Sequence, residues 1–202
     1  PEHDNLIGKN VIESKGAIHY LTLEEIRQNQ NYLTPKLKKD KECILLVLGG
    51  PNKYYSFSQE NLKKIFNKVK KILNDNNLQV IVIPSIRTPK NIIDLSNEYF
   101  DHDNLVIKTV DKKAYLSGLS LAKYIIVTCD STSMISEAAL TGKPVYIAEI
   151  KAMKNDYRFQ KFKKLFNNLN ITKNLSDKLE IWNYERLDES KRIAKQIIKH
   201  IS

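Results

Sequence analysis

The 202-residue sequence is poor in the features that mark several common protein classes. Its two cysteines, Cys43 and Cys129, each lie in or beside a predicted buried strand, so they form neither a disulfide framework nor a metal-binding spacing. Lone buried thiols of this kind are typical of a reducing compartment. The longest apolar runs have only a few residues, far fewer than the ~20 needed to cross a bilayer. The four histidines are scattered, so we expect no metal and no cofactor.

Charge is plentiful, but it is not organised as a nucleic-acid surface. The formal net charge is +10 and rests mainly on lysine. One predicted helix carries a row of lysines on its outer side: Lys63, Lys64, Lys68, Lys70 and Lys71. Such a row favours a solvated face over a polyanion-binding stripe. No block of arginines alternates with aromatic residues, so we expect no nucleic-acid partner.

Short apolar runs alternate with helical periodicity from Cys43 onward. The runs predict strands near 43–48, 80–84, 105–109, 124–128 and 144–149. After the first run, apolar residues between Leu62 and Leu73 recur with the spacing of an amphipathic helix, and Ser58 precedes it as an N-cap. This alternation predicts an α/β fold, a doubly wound parallel sheet with helices on both faces.

Three parts of the chain are predicted to differ in organisation. Residues 41–155 contain the alternating pattern and predict a Rossmann-like nucleotide-binding domain. Residues 156–202 predict C-terminal helices that pack on that domain or return from it. Residues 1–40 combine strand-like character in 8–22 with a helical pattern in 23–33. Because the sequence starts without Met inside what reads as a folded segment, we interpret residues 1–40 as a remnant or linker from a missing N-terminal domain.

Polar residues follow the first two predicted strands, at the edge where open α/β sheets bind ligands. Gly49 and Gly50 follow the first strand, and Ser85, Arg87 and Thr88 follow the second. Glycines, hydroxyls and one arginine are suited to a phosphate-bearing ligand. Structural explanations stay open, because a double glycine also makes a tight turn and an arginine also pairs with a surface carboxylate. Neither GxGxxG nor GxxxxGK[ST] is present.

The stretch after the fourth strand is the strongest candidate for an anion site. A helix cap needs one hydroxyl, whereas residues 129–133 supply three hydroxyls and Asp130. A helix N-terminus offers free N–H groups and a partial positive charge, to which Ser131 and Ser133 would add donors. Glu137, about one turn deeper, can accept hydrogen bonds from ribose hydroxyls. We expect Asp130 to accept backbone N–H bonds that fix the turn. A simple helix cap and a surface glutamate remain the alternatives.

Four ordered blocks carry a resemblance to a known family: LGGPNKYYSFS, PSIRTP, VTCDSTSMISEAALTGKPVYI and PEHDNLIGKNVIESKGAIHYLT. Together with YRFQKF and WNYERLDES, they make nearly the whole sequence similar to the "elongated mitochondria" fission family. That family resembles the B-type glycosyltransferases, whose C-terminal domain binds the nucleotide part of a sugar donor. The resemblance implies that this chain is such a C-terminal half and that its partners are a nucleoside diphosphate sugar and an N-terminal acceptor half.

The resemblance also implies roles for single residues. Gly49 and Gly50 match a glycine loop that lies against donor phosphates, and Arg87 matches the basic position at the second strand. The block that meets diphosphate and ribose matches Asp130, Ser131, Ser133 and Glu137. Two departures weaken the base-binding side of the analogy: residues 113–115 read Lys-Ala-Tyr where related chains tend to read Asn-Pro-Tyr, and Lys123 replaces an expected acidic residue.

Two functions are therefore expected from different classes. The first is a metal-independent glycosyltransferase-like protein, with this chain holding the nucleotide sugar and the missing half supplying the general base. His3 and Asp4 are the only residues of this chain expected to contribute near the cleft. Its catalytic residues are not assigned. The second is a non-catalytic scaffold or interaction module, because plant relatives are linked to recruiting a dynamin-like protein to mitochondria. We expect a cytoplasmic protein with peripheral contact to the inner face of the membrane.

Overall fold

The computed structural model describes residues 1–100 and 103–201, so His102 lies outside the described residues. It contains a six-stranded sheet with the order β3-β2-β1-β4-β5-β6, and all its strand pairs are parallel. The strands are β1 Glu42–Leu48, β2 Leu78–Pro84, β3 Leu105–Val106, β4 Ala122–Thr128, β5 Val145–Ala148 and β6 Thr172–Asn174. The order reverses between β1 and β4, and such a switch point is where open α/β sheets bind ligands.

Seven α-helices accompany the strands within the described residues. They are α1 Leu23–Gln28, α2 Gln59–Asp75, α3 Lys90–Tyr99, α4 Lys112–Leu121, α5 Thr132–Ala139, α6 Tyr157–Asn168 and α7 Glu189–Ile201. Short 3₁₀ turns lie at Glu2–Asp4, Gln30–Tyr32 and Thr34–Lys36. The prediction of a doubly wound, Rossmann-like α/β fold is confirmed.

The central strands and α2 show why the alternation predicts the fold. Every residue of β2 is buried, and in β1 only Glu42 is exposed, because helices cover both faces of the sheet. The Ser58 hydroxyl accepts the Asn61 N–H at 3.2 Å and caps α2. The apolar stripe of α2 is buried, while its lysines lie in solvent, where Lys71 pairs with Asp177 at 2.6 Å.

The strand expected in residues 8–22 is wrong, since that described segment contains no strand. Its backbone N–H groups bind side chains instead of a neighbouring strand. The Lys15 N–H donates to Glu189 Oε2 at 2.6 Å, and the Ala17 N–H donates to Ser136 Oγ at 2.9 Å. These side chains belong to α7 and α5, so the N-terminal segment runs between the two helices.

Other boundaries also differ from the sequence pattern. β3 has two residues where 105–109 is expected, and β6 lies in a region that reads as helical. Leu21, Ile26 and Leu33 are buried in the main core, so part of residues 1–40 packs on the sheet domain. In residues 1–100 and 103–201, no helix has both the length and the apolar composition needed to cross a bilayer.

Candidate functional site

Asp130, just past the end of β4, ties that strand to the loop after β1. Its Oδ2 accepts the Gly50 N–H at 3.1 Å, and its Oδ1 accepts the Thr128 hydroxyl at 2.6 Å. Its backbone carbonyl accepts a hydrogen bond from the Asn52 amide at 3.1 Å. A Cβ on Gly49 would lie 2.2 Å from the carboxylate, so glycine is required for this close approach.

Arg87 closes the same loop from the end of β2. Its Nη2 donates to Asp130 Oδ2 at 2.7 Å, and its Nη1 donates to the Gly50 carbonyl at 2.7 Å. The Asp130 side chain is fully buried, whereas the Arg87 side chain is 36% exposed. Burial raises the pKa of Asp130, and the hydrogen bonds from Thr128 and Gly50 and the Arg87 guanidinium oppose that rise.

Ser85 and Thr88 shape the turn after β2. The Thr88 hydroxyl lies 2.9 Å from the Leu48 carbonyl oxygen and 2.6 Å from that of Gly49, and it accepts the Ser85 N–H at 2.8 Å. Thr88 is buried, so its hydroxyl holds the turn after β2 against the end of β1. Ser85 stays partly exposed and lines a pocket at the sheet edge.

The N-terminus of α5 also lies at this edge. Ser131 is its N-cap and accepts the Met134 N–H at 3.4 Å, whereas Ser133 lies in the first helical turn with an exposed side chain. The first N–H groups of a helix have no partner within that helix and carry a partial positive charge. The N-terminus of α5 therefore presents N–H donors that an anion can bind.

A pocket of about 330 Å³ lies beyond the ends of β1 and β2, beside α4 and α5. Val47, Ile83 and Met134 contribute apolar walls, and Tyr115 and Glu137 contribute polar groups. This volume lies at the lower end of the range of about 300–1,000 Å³ that is typical of small-molecule sites. An open groove of about 700 Å³ between residues 2–15 and α7 is larger, but it lies away from the strand ends.

Glu137 is the acidic group of this pocket. Its Oε2 accepts the Tyr115 hydroxyl at 2.8 Å. Burial raises the pKa of Glu137, while the Tyr115 hydrogen bond and the charge of His19 lower it. Burial, together with the Glu137 charge and hydrogen bond, raises the pKa of Tyr115 well above its usual value, so its hydroxyl remains a donor.

The structure thus separates the residues expected from the sequence into two neighbouring groups. Gly50, Arg87 and Asp130 are in direct contact, with Gly49 and Thr88 packed against them. Ser85 and Glu137 line the pocket, and Ser131 and Ser133 begin the helix that carries Glu137.

Sequence reasoning did not assign Tyr115 to the site. Its signal is a tyrosine in the first turn of the helix that follows the third strand, the one residue of 113–115 that matches the Asn-Pro-Tyr of related chains. For metal binding, the described residues contain no group of three or more His, Cys, Asp or Glu side chains that could hold an ion.

Two curated proteins are similar in sequence to nearly the whole of this chain. An uncharacterized protein of Rickettsia prowazekii (strain Madrid E) is 29% identical over 98% of this chain and 57% of its own length. The mitochondrial fission protein ELM1 of Arabidopsis thaliana is 22% identical over 96% of this chain and 46% of its own length. The chain therefore spans about half the length of the curated relatives it matches.

Solved structures with a similar half-chain include two groups of enzymes. The UDP-GlcNAc 2-epimerase of Methanocaldococcus jannaschii, solved with UDP-GlcNAc and UDP, has a TM-score of 0.49 and 15% identity over 88% of this chain and 51% of the enzyme. The wall teichoic acid polymerase TagF has a TM-score of 0.42 and 12% identity over 88% of this chain and 48% of its own.

The family comparison covers almost the entire sequence. The family model described as mitochondrial fission ELM1 matches residues 1–201. The four sequence blocks that carry the expected resemblance all lie inside this match. The chain belongs to the mitochondrial fission ELM1 family.

Proposed function

We propose that this chain is the nucleotide-sugar-binding half of a glycosyltransferase-like protein. One observation carries the proposal: the half-buried Glu137 carboxylate, held by Tyr115, lines a pocket next to the N-terminus of α5. An acceptor carboxylate beside an apolar pocket fits a nucleoside, and the start of a helix fits the phosphates attached to it. Glu137 and the first N–H groups both belong to the short helix α5, so one ligand can contact both of them.

The nucleoside would occupy the pocket. Its base would contact the apolar walls formed by Val47, Ile83 and Met134. Its ribose hydroxyls would donate to Glu137, because a carboxylate offers about four acceptor positions and Tyr115 occupies one of them. The Ser85 hydroxyl, which accepts the Arg87 N–H at 3.3 Å and bonds to the Thr88 hydroxyl at 3.2 Å, lies on the same pocket wall beside the base or the ribose.

The diphosphate would lie against the start of α5. Its oxygens would accept hydrogen bonds from the first N–H groups of α5 and from the hydroxyls of Ser131 and Ser133. The loop of Gly49 and Gly50 would supply a surface without side chains. Arg87 would add positive charge while it remains bound to Asp130, whose own charge is thereby kept from repelling the phosphates.

The transfer itself would need little acid–base chemistry from this chain. As the bond between the sugar C1 and the diphosphate oxygen breaks, an acceptor oxygen bonds to C1 and negative charge grows on the leaving diphosphate. The α5 N-terminus and Arg87 would stabilise that charge without a metal ion. The proton of the acceptor would pass to a base that we place in an N-terminal half, so no catalytic residue is assigned here.

A second candidate function, a non-catalytic interaction module, is favoured by the exposed apolar side chains. Leu6, Ile7 and Ile201 are 65%, 92% and 80% exposed. Apolar side chains in solvent fit contact with another protein surface, whether the N-terminal half or a separate partner. This module would use the same fold without turnover.

The proposed location is the cytoplasm, with peripheral contact to the inner face of the membrane. Cys43 and Cys129 are buried free thiols, which fits a reducing compartment. The net charge of +10 fits attraction to an anionic leaflet. Flotation with neutral and anionic vesicles tests this contact, and absence of binding to anionic vesicles at low salt contradicts it.

A thermal-shift panel tests nucleotide binding. It compares nucleosides, nucleoside monophosphates, diphosphates and diphosphate sugars of each base on the same chain. A diphosphate at 100 times its dissociation constant stabilises the fold by about 2.7 kcal/mol. We expect one base series to raise Tm, and the diphosphates to raise it more than the nucleosides do. UDP and its sugars are the probes for further binding experiments if that base is uracil, and otherwise the matching nucleotides replace them. If no nucleotide raises Tm at millimolar concentration, the interaction module is the better account.

A further inference from the structure

The loops after β1 and β5 are joined beside the start of α5. Tyr55 and Ala152 form an isolated antiparallel bridge between the two loops. In the first loop, the Asn52 side chain donates to the Asp130 carbonyl, one residue before the N-cap of α5. The joined loops therefore border the position proposed for the diphosphate.

Two lysines of these loops share one aromatic ring. The Lys53 ammonium lies 4.9 Å from the centroid of the Tyr54 ring, and the Lys154 ammonium lies 5.7 Å from the same centroid. Phe159 packs against this ring at 5.4 Å in an edge-on arrangement, which limits its rotation. The other cation–π contacts in residues 1–100 and 103–201 place a single lysine on each ring.

No carboxylate among the described residues forms an ion pair with either lysine of this pair. Some surface lysines, such as Lys64 and Lys71, have carboxylate partners. Within the described chain, Lys53 and Lys154 form no ion pair, although both hold their ammonium groups at the same ring. Both ammonium groups lie close to one ring, 4.9 and 5.7 Å from its centroid, so an anion bound beside that ring would receive charge-assisted contacts from both lysines.

We infer that Lys53 and Lys154 form a second anion site, which binds a phosphate or carboxylate of the group beyond the diphosphate. This inference rests on the proposed function, because the nucleoside pocket at β2 and the α5 N-terminus together direct the rest of the ligand toward the β5 side. The anionic group belongs either to the donor sugar or to the acceptor. A neutral hexose with a neutral acceptor would leave the two ammonium groups uncompensated.

The test uses two double variants of the full chain with equal charge change. Lys53→Gln with Lys154→Gln removes the pair. Lys63→Gln with Lys70→Gln is the control on α2, where Lys70 lies 5.8 Å from the ring of Tyr99. Calorimetry compares UDP-glucuronate with UDP-glucose, and a separate titration adds inorganic phosphate to the chain with and without UDP.

An anionic donor sugar predicts that UDP-glucuronate binds at least about tenfold more tightly than UDP-glucose. This preference should vanish in the Lys53/Lys154 variant and persist in the control. An anionic acceptor predicts equal binding of the two sugars, together with phosphate binding to the UDP-loaded chain that weakens at least about tenfold in the Lys53/Lys154 variant.

Failure of this site is distinguishable from failure of the nucleotide site. Phosphate binding without UDP, seen as NMR shifts of the Lys53 and Lys154 side chains, supports the anion site even if no nucleotide binds. Equal binding of both sugars, with phosphate binding that is absent or unchanged in the Lys53/Lys154 variant, overturns it.

Discussion

The Tyr115 hydroxyl donates a hydrogen bond of 2.8 Å to Glu137 Oε2 and so joins α4 to α5 at the pocket beyond the ends of β1 and β2. Tyr115 and Glu137 are 22 residues apart in sequence. The bond orients the carboxylate and lowers the pKa of Glu137 against the effect of burial. Tyr115 is therefore a positioning residue in the proposed ribose contact.

Tyr115→Phe should weaken ribonucleotide binding selectively. Loss of one hydrogen bond to a charged group reduces binding by about 1–2 kcal/mol, because Glu137 becomes less ionised and less well oriented. The affinity of 2′-deoxy-UDP should change less, since it lacks one of the two hydroxyls that Glu137 would accept. The measurement is the UDP to 2′-deoxy-UDP affinity ratio, and an unchanged ratio in the variant contradicts the positioning role.

The raised pKa of Glu137 makes two pH predictions. Because the pKa of Glu137 in the folded protein lies above its usual value of 4.5, this group lowers the free energy of unfolding as pH rises from about 4.5 through the folded-state pKa. Nucleotide affinity changes in the opposite direction and falls on acidification, since a protonated carboxyl accepts fewer hydrogen bonds. In the Glu137→Gln variant, the free energy of unfolding measured in urea should depend less on pH between pH 4 and pH 8.

Glu60→Gln is the control for this pH experiment, because Glu60 is an exposed glutamate whose pKa is lowered by Lys64. This control variant should keep the pH dependence of the free energy of unfolding that we assign to Glu137. If the free energy of unfolding of Glu137→Gln depends on pH as strongly as that of the unchanged protein, the pH dependence does not come from Glu137.

Arg87→Ala should destabilise the loop after β1 as well as weaken the ligand. Removing the guanidinium leaves the buried Asp130 with only the Gly50 N–H and the Thr128 hydroxyl, at a cost of about 1–3 kcal/mol. The loss should grow as pH rises, because Asp130 must ionise without its cation. Lys70→Ala on α2 should change stability by less than about 0.5 kcal/mol.

A double-mutant cycle of Arg87→Ala with Asp130→Asn measures the contact directly. The two effects should not add, because each variant removes the same ion pair. Additive free energies of unfolding would show that the contact does not stabilise the loop.

Gly50→Ala tests the close approach of the loop to the end of β2. A Cβ on Gly50 would lie 2.0 Å from the Arg87 carbonyl oxygen, which is backbone and cannot yield without moving the turn. Destabilisation of about 1–3 kcal/mol is expected in urea unfolding. Gly8→Ala is the matched control, because its Cβ would lie 3.3 Å from a Val11 methyl group at an exposed position. Similar stabilities for the two variants would contradict the described packing.

Local sequence signals predicted the core of the fold because its strands are buried on both faces. Continuous apolar runs can occupy only the inside of such a sheet, and β1 and β2 followed the runs closely. β6 was not predicted, since its three residues are ordered mainly by pairing with β5. The same tertiary effect removed the strand expected in 8–22, where side chains of α5 and α7 bind the backbone.

For the site, the sequence predicted which residues lie at the sheet edge but not which of them are in contact. The rule for parallel sheets placed Arg87 and Asp130 at one edge, but their ion pair depends on the shape of the β1 loop. The pattern after the fourth strand predicted a cap, and the structure assigns it to Ser131. The Tyr115–Glu137 bond depends on where the sheet places α4 relative to α5, which no local pattern encodes.

Calorimetric titration of UDP into the Ser131→Gly, Ser133→Gly double variant tests the central claim most directly. Glycine is a tolerable cap at position 131 and costs about 0.5 kcal/mol more than serine in the first helical turn at position 133, so the stability of the fold should fall by less than about 1 kcal/mol. If the start of α5 holds the diphosphate, UDP affinity should fall at least about tenfold for each lost contact, and it should stay unchanged in the Lys63→Gln, Lys70→Gln control. Equal UDP affinity in the double glycine variant and the unchanged protein, or no nucleotide binding at millimolar concentration, would contradict the account.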